Sequence, residues 1–139
     1  ARTGAMVLVP GYKRHATIDR CGGSVDGFVG DDGMIEIKCP NTTTHIKTLL
    51  SEECEHLPQI QGYLWITGRQ WCDFVSFDPR LPDGLQMYIQ RIKRDDYYIA
   101  ELAGNVLKFI SEVESLELVL REKLKVAAPV VNDIPPLEL

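Results

Sequence analysis

The 139 residues suffice for one compact domain and are too few for two ordinary ones, and 45% hydrophobic with 25% charged side chains is a normal globular composition. The apolar runs are only a few residues long and no basic-then-apolar segment opens the sequence, which argues against a membrane span or secretory leader and makes an intracellular protein the expectation. A net charge of −5 excludes a generic basic coat for nucleic acid, but 1–94 hold 11 basic and 11 acidic residues against 4 and 9 in 95–139, so a DNA-binding face remains open in the first two thirds if a metal neutralises its acids.

In chain order, Met6-Val7-Leu8-Val9 stops at Pro10-Gly11, which predicts a strand over 5–9, followed by the basic cluster Lys13-Arg14-His15. The segment from Gly22 to Gly30 reads as a short strand, Asp31-Asp32-Gly33 carries an Asp-Gly hairpin signal, and Met34–Cys39 is the second arm. Thr42-Thr43-Thr44 offers caps for a helix through Leu50, and Ser51 starts a second helix running to Thr67 before Gly68, with Pro58 an obstacle in its early turns. Trp71–Phe77 and Leu85–Ile92 alternate as strands, and apolar residues recur at three and four from Asp95 to Lys125, which predicts one long amphipathic helix. Residues 126–139, with Pro129, Pro135 and Pro136, form a tail. Strands and helices in this order predict an α/β or α+β fold with a mixed central sheet flanked by helices.

Cys21, Cys39, Cys54 and Cys72 stand 18, 15 and 18 positions apart, with no C-x-x-C pair, so reduced thiols packed as small apolar groups are expected rather than a zinc or iron–sulfur site. The chemistry concentrates in the hairpin. Period two sends Met34, Glu36 and Lys38 to one strand face and Ile35, Ile37 and Cys39 to the other, while Asp26 sits at the end of the facing arm. Two carboxylates, with a backbone carbonyl such as that of Ile37, make an open site for a hard divalent cation, and Lys38 can orient water or stabilise a phosphate. The alternative at this point is a solvated turn aspartate beside a surface Glu-x-Lys pair. The apolar character of the other face and the abrupt stop at Cys39-Pro40 favour the metal site.

Ser24-Val25-Asp26-Gly27 followed by Glu36-Ile37-Lys38-Cys39-Pro40 resembles the Asp…Glu-x-Lys core of the PD-(D/E)XK nucleases, and more narrowly the phage lambda exonuclease or YqaJ-type viral recombinase group, with its S-P-D-G and E-x-K-C-P patterns. Gln59-Ile60-Gln61-Gly62-Tyr63 resembles that group's Q-x-Q helix, and Phe77-Asp78-Pro79-Arg80 its Tyr-Asp-Pro-Arg turn. The resemblance implies a restriction-endonuclease-like nuclease core over 1–125 with a tail at 126–139. It implies a Mg²⁺-dependent exonuclease, Mn²⁺ substituting, that digests one strand of linear duplex DNA 5′→3′ in phage recombination. Asp26, Glu36 and the Ile37 carbonyl would be metal ligands, and Asp26, Glu36, Lys38 and Gln59 catalytic. Gln59 and Tyr63, four apart, share a helix face; Gln61 points elsewhere and is the second choice near the site. A ring-shaped homotrimer, double-stranded DNA ends, a single-strand annealing partner and a location in the cytoplasm or nucleus of an infected cell are implied as well.

Three departures from the pattern stand out. Val25 replaces the usual proline, Ala16 stands where some members carry another acid, and the family's basic N-terminal helical segment ends just before a match to Ala1-Arg2. A missing segment, trimmed or carried on another polypeptide, would leave an exposed apolar groove. Lys13, Arg14, Lys47, Arg69 and Arg80 are candidates for phosphate contacts. Arg80 could equally be an ion-pair partner of Asp78, and His45 and His56 either line a channel or lie on the ordinary surface. An endonuclease on the same core, or a nuclease-fold module that binds DNA or protein without cutting, are the rival functions.

Overall fold

The computed structural model describes residues 4 and 6–124; Ala1-Arg2 and the tail 126–139 lie outside the described residues. Two compact units are distinguished, Ala1–Ala103 and Gly104–Leu139. The first contains β1 (Val7–Leu8), β2 (Tyr12–Arg14), β3 (Gly22–Ser24), β4 (Gly27–Val29), β5 (Gly33–Lys38), α1 (Thr42–Ser51), α2 (Leu57–Thr67), β6 (Trp71–Phe77) and β7 (Met87–Lys93). Helix α3 (Asp96–Leu124) begins in this unit and forms the described part of the second.

The sheet is mixed, in the order β1-β4-β5-β6-β7, with β5 and β6 parallel and the other pairs antiparallel; β2 and β3 form a separate two-stranded ribbon. The parallel pair requires a long crossover, and α1 and α2 supply it. The core lies between α2 and one sheet face, where Ile60 and Leu64 meet Met34, Cys72, Phe74 and Val25. Met34 and Glu36 point to this buried side, and Ile37 to the other. The opposite sheet face exposes Ile37, Met87 and Ile89.

Local chemistry sets the element ends, and several differ from the sequence reading. The hairpin turns through 30–32, and its left-handed residue is Gly30 (φ 56°) rather than Gly33. Gly33 is instead a strand residue under the Trp71 ring, where a Cβ would lie 2.1 Å from a ring carbon. Asn41, not a threonine, caps α1 by accepting from the Thr44 N–H at 2.9 Å. The expected helix from Ser51 is broken because Glu52 turns left-handed (φ 53°), and α2 begins only at Leu57, with Pro58 in its first turn where no amide hydrogen is needed. Residues 83–85 form a 3₁₀ turn, so the last strand starts at Met87 rather than Leu85. Among the described residues no helix is long and apolar enough to cross a membrane.

Candidate metal centre and its surroundings

Antiparallel pairing sets Gly27 opposite Ile35, so one step further along, Asp26 comes level with Glu36. The Asp26 side chain is fixed there because its Oδ2 accepts the Ile37 N–H at 2.7 Å. A strand residue turns its N–H and C=O to the same edge, so the Ile37 carbonyl also faces the Asp26 side. Glu36 projects to the other face of β5 from Ile37 and is 2% exposed. Its Oε1 accepts from Lys38 Nζ at 2.7 Å and from Gln59 Nε2 at 2.9 Å.

Glu36 Oε2 is buried and has no hydrogen-bond partner. An unpartnered buried carboxylate oxygen costs desolvation free energy. Burial pushes the Glu36 carboxyl up from its ordinary range, the Lys38 bond opposes this, and the neighbouring charge of Asp26 pushes it up further. A cation between the two acids would relieve both upward pressures. Among the described residues no group of three or more His, Cys, Asp or Glu could hold a metal ion, so a cation here would have at most these two carboxylates and the carbonyl, with water completing its shell. That set suits Mg²⁺, which binds through one or two carboxylates and keeps several waters.

Helix α2 closes the site from above. Tyr63, one turn after Gln59, accepts a second bond from Gln59 Nε2 at 3.2 Å. The edge of its ring packs against β3 because Gly23 has no side chain: a Cβ there would collide with Tyr63 Cε1. Gln61 is not part of this group. It is 2% exposed and turned to the β7–α3 junction, where Nε2 donates to the Lys93 carbonyl at 2.8 Å and Oε1 accepts the Asp95 N–H at 3.0 Å.

The candidate phosphate contacts separate into different environments. Arg69 stacks 3.7 Å above the Phe28 ring and donates to the carbonyls of Gly30 and Gly33 at 2.9 and 2.6 Å, which ties it to the hairpin. Arg80 donates to fully buried Asp78 at 2.6 Å and to the Pro40 carbonyl at 3.1 Å, joining the exits of β5 and β6. Lys13 lies 5.8 Å from the Phe28 ring centre. Arg14 is exposed beside a cavity of about 600 Å³ in the β2–β3 loop, and Lys47 is exposed on α1.

His45 is neither a channel residue nor a surface one. It is fully buried, bridging Ser76 Oγ at 2.7 Å and the Leu85 carbonyl at 2.9 Å, and so anchors α1 beneath the end of β6. His56 is half-buried, 5.7 Å from the Phe74 ring. Sequence reasoning overlooked this His45–Ser76–Leu85 bridge because its partners are 31 and 40 residues away, beyond any local pattern. All four cysteines are free; Cys72 is fully buried as expected, whereas Cys39 is exposed.

Residues 2–70 match the model of the YqaJ-like viral recombinase domain. No curated protein matches the chain significantly. The structure is similar to crystal structures of LHK-Exo, an alkaline exonuclease from Laribacter hongkongensis, at 47% identity with a TM-score of 0.85 over 91% of this chain and 66% of that one. A complex of LHK-Exo with dAMP gives a TM-score of 0.87 at 47% identity, over 89% of this chain. The chain spans 65% of the length of LHK-Exo in that complex.

Proposed function

We infer that this chain, which belongs through residues 2–70 to the YqaJ-like viral recombinase family, is a metal-dependent deoxyribonuclease that digests one strand of linear duplex DNA from its 5′ end. The observation that carries the reading is the buried Glu36 carboxylate, held on one oxygen by Lys38 and Gln59 and left without a partner on the other beside Asp26. The similarity to an alkaline exonuclease supports the choice of exonuclease over endonuclease.

Asp26, Glu36 and the Ile37 carbonyl would hold Mg²⁺, or Mn²⁺ in its place. When bound, such an ion lowers the pKa of water and stabilises charge developing on a phosphoryl oxygen. Lys38 holds its ammonium beside Glu36 and supplies positive charge to the reacting phosphate while orienting the attacking water. Gln59 keeps the Glu36 carboxylate in one rotamer, leaving Oε2 for the ion. The Ile37 N–H does the same for Asp26.

The substrate is the end of a DNA duplex in a recombination pathway of viral origin, inside an infected cell, and the single strand left behind would pass to an annealing protein. A closed ring of three copies threaded on DNA would make digestion processive, because the enzyme could leave only by sliding off an end. Phosphate contacts are best sought at Arg14, Lys13 and Lys47, with Arg69 and Arg80 supporting the site from behind.

The deciding experiment is a time course on linear and covalently closed duplexes, with Mg²⁺ and with EDTA. Loss of the linear substrate alone, only in Mg²⁺ and faster from 5′-phosphate ends, is expected. Cleavage of closed circles would make it an endonuclease. Binding without loss of either substrate would make it a non-cleaving module.

A further inference from the structure

We propose that Gln61 is a positioning residue that sets the rotation of α2, and thereby the contact of Gln59 with Glu36. The role rests on the nuclease reading above. Residues two apart on a helix point about 200° apart, so Gln61 and Gln59 grip opposite sides of the same cylinder. On the Gln59 side the helix must deliver an amide to Glu36 Oε1 at 2.9 Å. On the Gln61 side a buried amide uses both its donor and its acceptor on the main chain of one junction, at Lys93 and Asp95.

The apolar contacts of Ile60 and Leu64 hold α2 against the sheet but carry little directional preference, whereas two opposed hydrogen bonds from one planar amide do. The lever is short. At a side-chain radius of about 5–6 Å, a rotation of about 10° moves the Gln59 amide by about 1 Å, enough to break a bond of this kind. The junction itself is held outside α2 by the Arg94 N–H, which donates to the Gln70 carbonyl just before β6 at 2.9 Å, and Arg94 Nη1 adds a second tie to α2 at the Leu64 carbonyl, 2.6 Å. Gln61 therefore ties the azimuth of α2 to a fixed point at the far edge of the sheet.

The test uses Gln61→Met, which fills similar space without either bond, and Gln61→Glu, which keeps the acceptor and loses the donor. Each is made alone and with Gln59→Met. Two quantities are read: kcat and KM on linear duplex in Mg²⁺, and the side-chain amide ¹⁵N resonances of Gln59, assigned by their loss in Gln59→Met.

The expected result is a fall in kcat of about tenfold with KM little changed, absent when Gln59 is already methionine, together with a shift of the Gln59 amide signal. An unmoved Gln59 signal overturns the proposal, as does an equal loss of kcat in both backgrounds. Failure of both variants to fold would make Gln61 a general structural residue and also overturn it. If the unsubstituted chain cleaves nothing, the nuclease reading falls, and the Gln59 signal alone decides the role of Gln61.

Discussion

The Ile37 N–H donates to Asp26 Oδ2 at 2.7 Å, so the first acid of the site hangs on the very peptide that separates Glu36 from Lys38. The geometry lets charge be separated from structure. Asp26→Asn keeps an oxygen for the Ile37 N–H and removes only the negative charge. It should fold normally, need more Mg²⁺ and lose activity by at least about 100-fold, since even outer-sphere changes at metal sites cost 10–100-fold. Nucleotide release from linear duplex across a Mg²⁺ titration measures this; unchanged release would remove Asp26 from the centre.

Lys38 Nζ donates to the second acid, Glu36, at Oε1 and 2.7 Å, and its own side chain is 28% exposed. Lys38→Ala should lower turnover by about 10²–10³-fold, the usual effect of removing one group that stabilises transition-state charge. DNA affinity, measured in Ca²⁺, should stay nearly unchanged. Ca²⁺ is larger and more loosely coordinated than Mg²⁺, so it supports binding without fixing the reacting geometry. Undiminished cleavage by the variant would exclude Lys38 from the chemistry.

Legibility in the sequence followed the range of the interactions. The hairpin and the shared direction of Glu36 and Lys38 were readable because strand alternation is a local rule, and burial of that face agrees with the expectation that the pair is not freely solvated. Gln59 and Tyr63 were readable as one helix face for the same reason. The division into two helices was readable, but the start of α2 at Leu57 rather than Ser51 was not, because Glu52 in a left-handed conformation leaves no sequence mark and Pro58 read as an obstacle instead of a first-turn residue. Gln61 could be directed away from Gln59 by helix geometry, but its partners at Lys93 and Asp95 belong to a junction formed only when α2 packs on the sheet. The basic residues were least legible of all. Nothing local distinguishes Arg69, which closes a hairpin, from Arg14, which lies open beside a loop cavity.

That distinction yields a paired prediction. Arg69→Ala removes two carbonyl contacts and a stacked Phe28, and should lower stability to urea by about 1–2 kcal/mol while leaving the salt dependence of DNA binding unaltered. Arg14→Ala should leave stability alone and, if this side chain meets a phosphate, reduce the slope of log affinity against log salt by about 0.9. Titrations of binding at several salt concentrations, with urea melts of the same samples, separate the two. A slope change in Arg69→Ala would return that residue to the DNA interface.

Asp78 links acid stability to the site's rear support. It is fully buried, and the Arg80 guanidinium, with help from Thr42 and the Arg80 main chain, holds its carboxyl well below the usual carboxylate range despite the opposing effect of burial. A carboxyl depressed in the folded state binds its proton less readily there than in the unfolded chain, whose ordinary value is about 3.9. Its stabilising contribution is therefore complete above that value and is lost progressively as pH falls below it toward the folded-state value. Urea midpoints measured from pH 7 down to pH 3 should fall more steeply for the unsubstituted chain than for Asp78→Asn, which begins less stable and has no such proton to take up. Because Arg80 also holds the Pro40 carbonyl, two residues beyond Lys38, the variant should lose some kcat even at pH 7, where the fold is intact. Parallel acid profiles for the two proteins would mean that the Asp78–Arg80 pair does not stabilise the fold in the way its geometry suggests.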